Sequence, residues 1–328
     1  MTTFRGKSVL VTGATGFIGG HLAHRLAARE RAVVTGVGRH LEKAAELRAE
    51  GVELVRADVR DARFMRRLLR DKAYLFHAAA WMGHGPDSEA EELNVEAVGR
   101  LVRLAAAAGV RRLVHVSSIA VYGSPTRPVM DEDTPLDTRQ DDVYGRTKAR
   151  GEVRAREAAR EEGVELTVVR PAMVYGPRSR TWTVKILRLV KEGKPILLGD
   201  GGGHCHPVFV ENLVDGMLLA ATSPAAPGET YNFSDPPVPW REYVGHYAAM
   251  CGVAPRSLPV WIGKLAAGFN DAFKLRLSLD RRRIAFLQNR SVYPTAKAER
   301  DLGYRPRVGL EEGMRRTEAW LREEGLIA

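Results

Sequence analysis

The sequence predicts an α/β protein: a doubly wound parallel sheet with a smaller, mostly helical C-terminal lobe. Three observations predict it. Apolar runs alternate with helical patterns through the first half. Three glycines punctuate the first strand-to-helix junction. After about residue 170 the alternation gives way to Gly- and Pro-rich loops.

The first element is "VLVTGATGFIGGHL", Val9 to Leu22. Its β-branched start reads as a buried strand, and Phe17, Ile18, Leu22, Ala23 and Leu26 recur at helical spacing. A sharp strand-to-helix turn calls for a residue that tolerates positive φ. The helix N-terminus offers unpaired N–H groups and the positive end of a dipole, where a phosphate can sit. Gly13 is expected to make the turn, Gly16 to admit a pyrophosphate, and Gly19 to let helix and strand pack closely. The spacing is G-x-x-G-x-x-G, a variant of the general Rossmann dinucleotide fingerprint.

Further apolar runs at 32–37, 52–57, 73–78, 111–116 and 164–169 join 8–12 as expected strands. Helical patterns lie at 17–29, 40–50, 61–71, 88–108 and 142–162. Strands alternating with helices make a parallel sheet through right-handed crossovers, and ligands bind beyond its carboxyl ends where the strand order reverses. Later, "RPAMVYGPR", "GDGGGHCHP" and "SDPPVP" separate short elements, with helices at 210–222, 239–251 and 309–324 and one or two further strands expected. This divides the chain into a Rossmann-type dinucleotide-binding domain, 1–170, and an intermingled substrate lobe, 171–328.

The bulk numbers exclude several classes. The 328 residues carry a net charge of +10, from ten lysines and forty arginines against 40 acids. The arginines are scattered beside Glu and Asp, as on a solvated, ion-paired surface, and only Arg281–Arg283 forms a short run, so no nucleic-acid partner is expected. Cys205 and Cys251 are too few for a disulfide framework or a four-ligand metal site. They read as free thiols in a reducing cytoplasm. No stretch reaches the roughly eighteen apolar residues of a membrane span, and no signal peptide is expected.

The end of the second strand, "TGVGRHLEK", should meet the adenosine ribose. It presents Arg39 and no carboxylate before Glu42. A guanidinium there suits a 2′-phosphate and can stack on adenine, so NADP is favoured and NAD remains possible. The other reading leaves Arg39 solvated. Asp58, followed by Val59, could accept from the adenine amino group. Ala78, Ala79 and Ala80 would allow close approach of the cofactor, and His77 reads as a packed core histidine.

The chemistry is expected from "VSSIAVYG" (116–123) and "YGRTK" (144–148). Tyr144 and Lys148 lie four apart on one helix face. Alcohol–ketone interconversion needs a group that gives or takes the hydroxyl proton. Tyr144 can do so if Lys148 and an oxidised nicotinamide draw its pKa down from about 10. Ser118 would orient the substrate oxygen. Asn94 could hold a water or backbone link to Lys148.

Together these stretches resemble the extended short-chain dehydrogenase/reductases: the NAD-dependent epimerase/dehydratase superfamily, near its 3β-hydroxysteroid dehydrogenase and dihydroflavonol-reductase-like branch. "TGATGFIGGHL", "HAAA", "LNVEAV", "VSSIAVYG", "YGRTK", "RPAMVYGP" and "PVFVENLVDGM" carry the likeness across nearly the whole chain. The resemblance implies cofactor contacts from Gly13, Thr15, Gly16, Phe17, Ile18, Gly19, Asp58, Val59, Ser117, Tyr144 and Lys148, and from Pro171, Met173 and Val174 beside the nicotinamide. It implies catalysis by Ser118, Tyr144, Lys148 and Asn94.

Ile119 and Ala120 stand where dehydratases of the superfamily carry an Asp-Glu pair, so dehydration is disfavoured. Met173 replaces an Asn that holds the substrate diphosphate in the epimerases. His204 and His206 replace a nearby Arg and could touch phosphate or lie in a plain loop. The expected reaction is therefore alcohol–ketone interconversion on an apolar, ring-containing substrate, steroid- or flavonoid-like. The alternative is a nucleotide-sugar epimerase with retained cofactor. The stripe Trp261, Ile262, Leu265, Phe269 and Phe273 reads as a helix packed on the lobe, or as a lid or membrane-facing surface. The Ala-rich helices at 88–108 and 142–162 suggest a homodimer.

Overall fold

The computed structural model describes residues 4–83, 85–273 and 281–328. Six strands fall within two residues of expectation: β1 (Ser8–Thr12), β2 (Val33–Gly38), β3 (Glu53–Arg56), β4 (Tyr74–His77), β5 (Arg112–Val116) and β6 (Glu165–Pro171). Past them lie seven short strands rather than one or two: β7 (Met173–Tyr175), β8 (Leu197–Leu198), β9 (His204–Cys205), β10 (Pro207–Phe209), β11 (Thr230–Phe233), β12 (Val238–Pro239) and β13 (Ser257–Leu258). Only β11 joins the main sheet, whose order is β3-β2-β1-β4-β5-β6-β11. All its pairings are parallel. The order reverses between β1 and β4, and the crevice at their carboxyl ends is where a parallel sheet of this kind takes a ligand.

The strands read as unbroken apolar runs because both faces are covered. Val9, Val11, Phe76 and Val114 point one way, and Leu10, Leu75, Leu113 and Val168 the other. On the first face lie α1 (Phe17–His24), extended by a π turn to Arg29, and α7 (Val210–Thr222). On the second lie α2 (Ala62–Leu68), α4 (Ala97–Ala107), which continues α3 (Asp87–Glu91) through a π turn, and α5 (Val143–Glu162). Asp142 caps α5 by accepting from Gly145 N at 2.7 Å, and Gly163 ends it in the left-handed conformation. Ala105, Ala155 and Ala158 of these helices are fully buried against the sheet.

Two expected helices are corrected. Residues 41–48 form a 3₁₀ segment that leaves helical geometry at Ala44, and Ala44 and Leu47 are the residues it buries. The lobe holds α6 (Lys185–Lys191), α8 (Trp240–Met250), α9 (Val260–Phe273), α10 (Arg281–Gln288), α11 (Ala296–Leu302) and α12 (Leu310–Glu323). In α9 the expected stripe is turned outward. Trp261 and Leu265 are exposed, while Gly263 and Ala267 face inward, and a Cβ on Gly263 would stand 2.7 Å from Leu198 Cδ1. Small residues bring this helix close, so its large ones are left outside. The side chains of Phe269 and Phe273 lie outside the described residues. Among the described residues no helix is long and apolar enough to cross a membrane.

Candidate active site

The two sides of the switch point touch. Gly13 has φ +73°, and a Cβ there would stand 2.7 Å from Ala79 N and 2.8 Å from Ala78 C. A Cβ on Gly19 would stand 2.3 Å from Gly13 O. Neither position admits a side chain without moving backbone. Gly16 differs: it is exposed and caps α1 with no side-chain bond. The first-turn N–H groups of Phe17, Ile18 and Gly19 thus open onto the crevice, the arrangement that receives a pyrophosphate. Thr15 covers Gly38, where a Cβ would stand 2.3 Å from Thr15 Oγ1, and Arg39 follows directly. A dinucleotide therefore fits this cradle, with Ala78, Ala79 and Ala80 half-buried along its floor.

At the adenosine end the charges are already paired. Asp58 accepts from Arg60 through the backbone N at 2.9 Å, Nε at 2.9 Å and Nη2 at 2.6 Å. These bonds hold the Asp58 carboxyl below its ordinary range. The sequence reading left Asp58 free for adenine; here any adenine amino group would share an oxygen with Arg60. Val59 is buried. Arg39 is half-exposed and lies 3.6 Å from Glu89 Oε1.

Ser118 closes β5 and caps the turn Ile119–Tyr122, its Oγ accepting from Ala120 N at 3.1 Å. The half-buried Tyr144 lies near the same side chain. One helical turn on, Lys148 is buried and donates to Val116 O at 2.6 Å. Burial pushes the Tyr144 hydroxyl above its usual value, the nearby Ser118 side chain pulls it down, and Asp142 pushes it up again, for a net rise. The Lys148 ammonium is turned to the strand end, at Val116 O. Burial lowers Lys148 itself to about 8.

Asn94 does not reach Lys148. Its Oδ1 accepts from Trp81 N at 2.8 Å, and its Nδ2 donates to Thr147 Oγ1 at 3.0 Å. It ties the loop after β4 to the helix carrying Tyr144 and Lys148. Met173 and Val174 point into the core, Met173 Sδ lying 3.7 Å from the buried Cys205 Sγ. Met173 packs in the lobe core and Val174 in the core on the first face of the main sheet, and Pro171 and Ser117 are likewise buried. His77 is a core histidine, bonded to Thr12 Oγ1 at 2.7 Å and pushed by burial to about 3.

Sequence reasoning missed a buried network beside Lys148. Glu152 and Arg170 pair at 3.0 Å through Nε, with a second bond through Nη2. Arg170 Nη1 donates to Tyr122 at 2.7 Å, and Tyr122 donates to Asn232 at 2.8 Å. The available signal was the third residue at i+4 spacing: Tyr144, Lys148 and Glu152 share one helix face.

A model of the NAD dependent epimerase/dehydratase family matches residues 9–234. The chain belongs to this family. It is similar to a 2-alkyl-3-oxoalkanoate reductase of Stenotrophomonas maltophilia, at 28% identity over 95% of this chain and 98% of the relative. It is equally similar, at 28%, to a UDP-glucose 4-epimerase of Vibrio cholerae, over 95% of this chain and 94% of the relative. Among solved structures, a dTDP-glucose 4,6-dehydratase of Streptomyces venezuelae with NAD bound gives a TM-score of 0.79 at 27% identity, over 98% of both chains. This epimerase/dehydratase family member is therefore an enzyme of NAD-dependent type.

Proposed function

We propose that this enzyme interconverts a secondary alcohol and a ketone on an apolar, ring-containing substrate. The observation that carries the reading is the meeting of Ser118, just past the carboxyl end of β5, with Tyr144 and buried Lys148, one helical turn apart on α5. A bound nicotinamide supplies the hydride acceptor or donor. Residues 1–170 hold it, by the glycine turn and Ala78–Ala80, and residues 171–328 hold the substrate. Ser118 orients the substrate oxygen and Tyr144 moves the proton at its hydroxyl. Lys148 would hold the nicotinamide ribose, and its positive charge would favour proton release at the Tyr144 hydroxyl.

Two features favour an apolar substrate. Ile119 and Ala120 offer no acid or base for elimination. Met173 and Cys205 form a buried sulfur contact where a diphosphate would need donors, and burial lowers His206 to about 4, leaving it uncharged near neutral pH. The likeness to UDP-glucose 4-epimerase at the same identity as the reductase supports a second reading: nucleotide-sugar epimerisation with retained cofactor. Incubation with NADP or NAD and panels of steroid-like alcohols and UDP- or dTDP-sugars separates them. Net NAD(P)H formation carries the first. Sugar isomerisation without net cofactor change carries the second.

NADP is the favoured cofactor because Arg39 sits at the end of β2, its one ion pair being the loose contact to Glu89. Arg39→Asp is expected to shift preference toward NAD by about 1–3 kcal/mol, a lost charge-assisted bond plus repulsion, in paired fluorescence titrations. Tighter binding of NAD than NADP by the unaltered protein overturns this assignment.

The reading also carries a cytoplasmic homodimer assembled through α4 and α5. The outer face of α5 presents Arg150, Val153 and Glu157. Light scattering over a dilution series is expected to give a dimer mass, and a fully active monomer at every micromolar concentration overturns it.

A further inference from the structure

We propose that Glu152, clamped by Arg170, is a positioning residue that keeps the Lys148 ammonium charged inside the protein. The inference rests on the reading of Lys148 as part of the reacting centre. Lys148 is 2% exposed and hydrogen-bonds a neutral carbonyl, Val116 O. A buried ammonium with neutral partners gives up its proton readily.

The groups packed around it decide its charge. From β4 and β5 come His77 and His115, stacked with ring centroids 5.3 Å apart. Burial pushes His77 to about 3 and His115 well below its usual value, so both are neutral. From its own helix come Tyr144, protonated in this state, Glu152, and Arg156, which reaches Glu152 Oε1 at 3.3 Å. From β6 comes Arg170, and beyond it Tyr122, pushed up to about 12, and Glu132, whose backbone oxygen faces Arg170. Glu152 follows Lys148 one turn on along the same buried face of α5, so its negative charge favours the ammonium. It is fully buried, so its negative charge is not screened by water.

Arg170 has a separate task. It fixes the Glu152 carboxylate with a two-pronged grip, and through Tyr122 it reaches the turn that Ser118 caps. The acid–base helix and the serine turn are thereby held by one chain of bonds. Glu152 touches neither substrate nor cofactor and acts through Lys148.

The test reads Lys148 directly, without substrate or cofactor. The ten lysines make a side-chain ¹³C-lysine spectrum tractable, and Lys148→Met assigns the signal. In Glu152→Gln the Lys148 titration midpoint is expected to fall by about one unit or more. In Arg156→Gln, where a competing cation leaves Glu152, it is expected to rise by a few tenths of a unit. Arg156 is one-third exposed, so this variant keeps the test decisive should Glu152→Gln fail to fold. Opposite displacements support the proposal; an unmoved midpoint in whichever variants fold overturns it. The pH limit of NADPH binding should then move with the midpoint. If the midpoint moves and that limit does not, Glu152 tunes Lys148 but Lys148 is not the cofactor contact, which separates failure of the functional reading from failure of this one.

Discussion

Tyr144→Phe is expected to fold, bind cofactor and lose turnover by about 100- to 10,000-fold, the scale of a removed general acid–base group. The substitution keeps the ring and takes away one oxygen. That oxygen lies near the Ser118 side chain, so the stability loss should not exceed the ~1 kcal/mol of a single hydrogen bond. The cradle of Gly13, Gly19 and Ala78–Ala80 is untouched, so NADPH affinity should change little. Thermal unfolding, a fluorescence titration and turnover on the best alcohol of the panel measure the three quantities. Near-normal turnover in the variant removes Tyr144 from the reaction.

The features that were legible in the sequence are those encoded over short spans. Gly13 and Gly19 are fixed by a turn of seven residues, and their spacing announces a close approach that the backbone then makes. Most of the six early strands announce themselves because burial on both faces writes a largely apolar run, while the edge strand β3 is only half-buried. Ser118, Tyr144 and Lys148 were visible because a strand end and one helix face determine them. What escaped depends on side-chain partners that hydrophobic periodicity does not reveal. Asp58 looked like a free carboxylate until Arg60 closed on it. Met173 looked like a cofactor contact, but Cys205, 32 residues on, draws it into the lobe core. The short strand β11 escaped because four residues carry too little periodicity, and its place is set by pairing with β6. In α9 the glycine and alanine face proved the packing face, since close approach to Leu198 outweighs burial of the larger residues. Glu152 and Arg170 were overlooked because charged side chains on a helix and a strand end read as solvated until their pairing is seen.

That pairing carries the largest stability effect expected in the protein. Arg170 is 3% exposed and meets both oxygens of a fully buried Glu152. Arg170→Met keeps most of the side-chain volume but leaves the buried carboxylate without its two-pronged partner, with Arg156 and the Lys148 ammonium as the remaining cations. The expected loss is about 3–5 kcal/mol near neutral pH, the cost of an uncompensated buried charge. Replacing both partners, Glu152→Met with Arg170→Met, removes the stranded charge and should cost far less. The pH dependence distinguishes this from a simple packing defect. Burial pushes Glu152 up, but the Arg170 bonds outweigh it, and the folded value lies below the ordinary 4.5. The pair's contribution is therefore whole above that value and is lost as pH falls below it toward the folded one. In Arg170→Met, burial has little opposing it and the Glu152 value rises, so acid neutralises the stranded charge. The deficit against the unaltered protein should shrink steadily as pH is lowered from neutrality to about 4. Urea unfolding at a series of pH values measures it. A deficit that stays constant across the series would assign the loss to packing around Tyr122 and Asn232 and not to the buried charge.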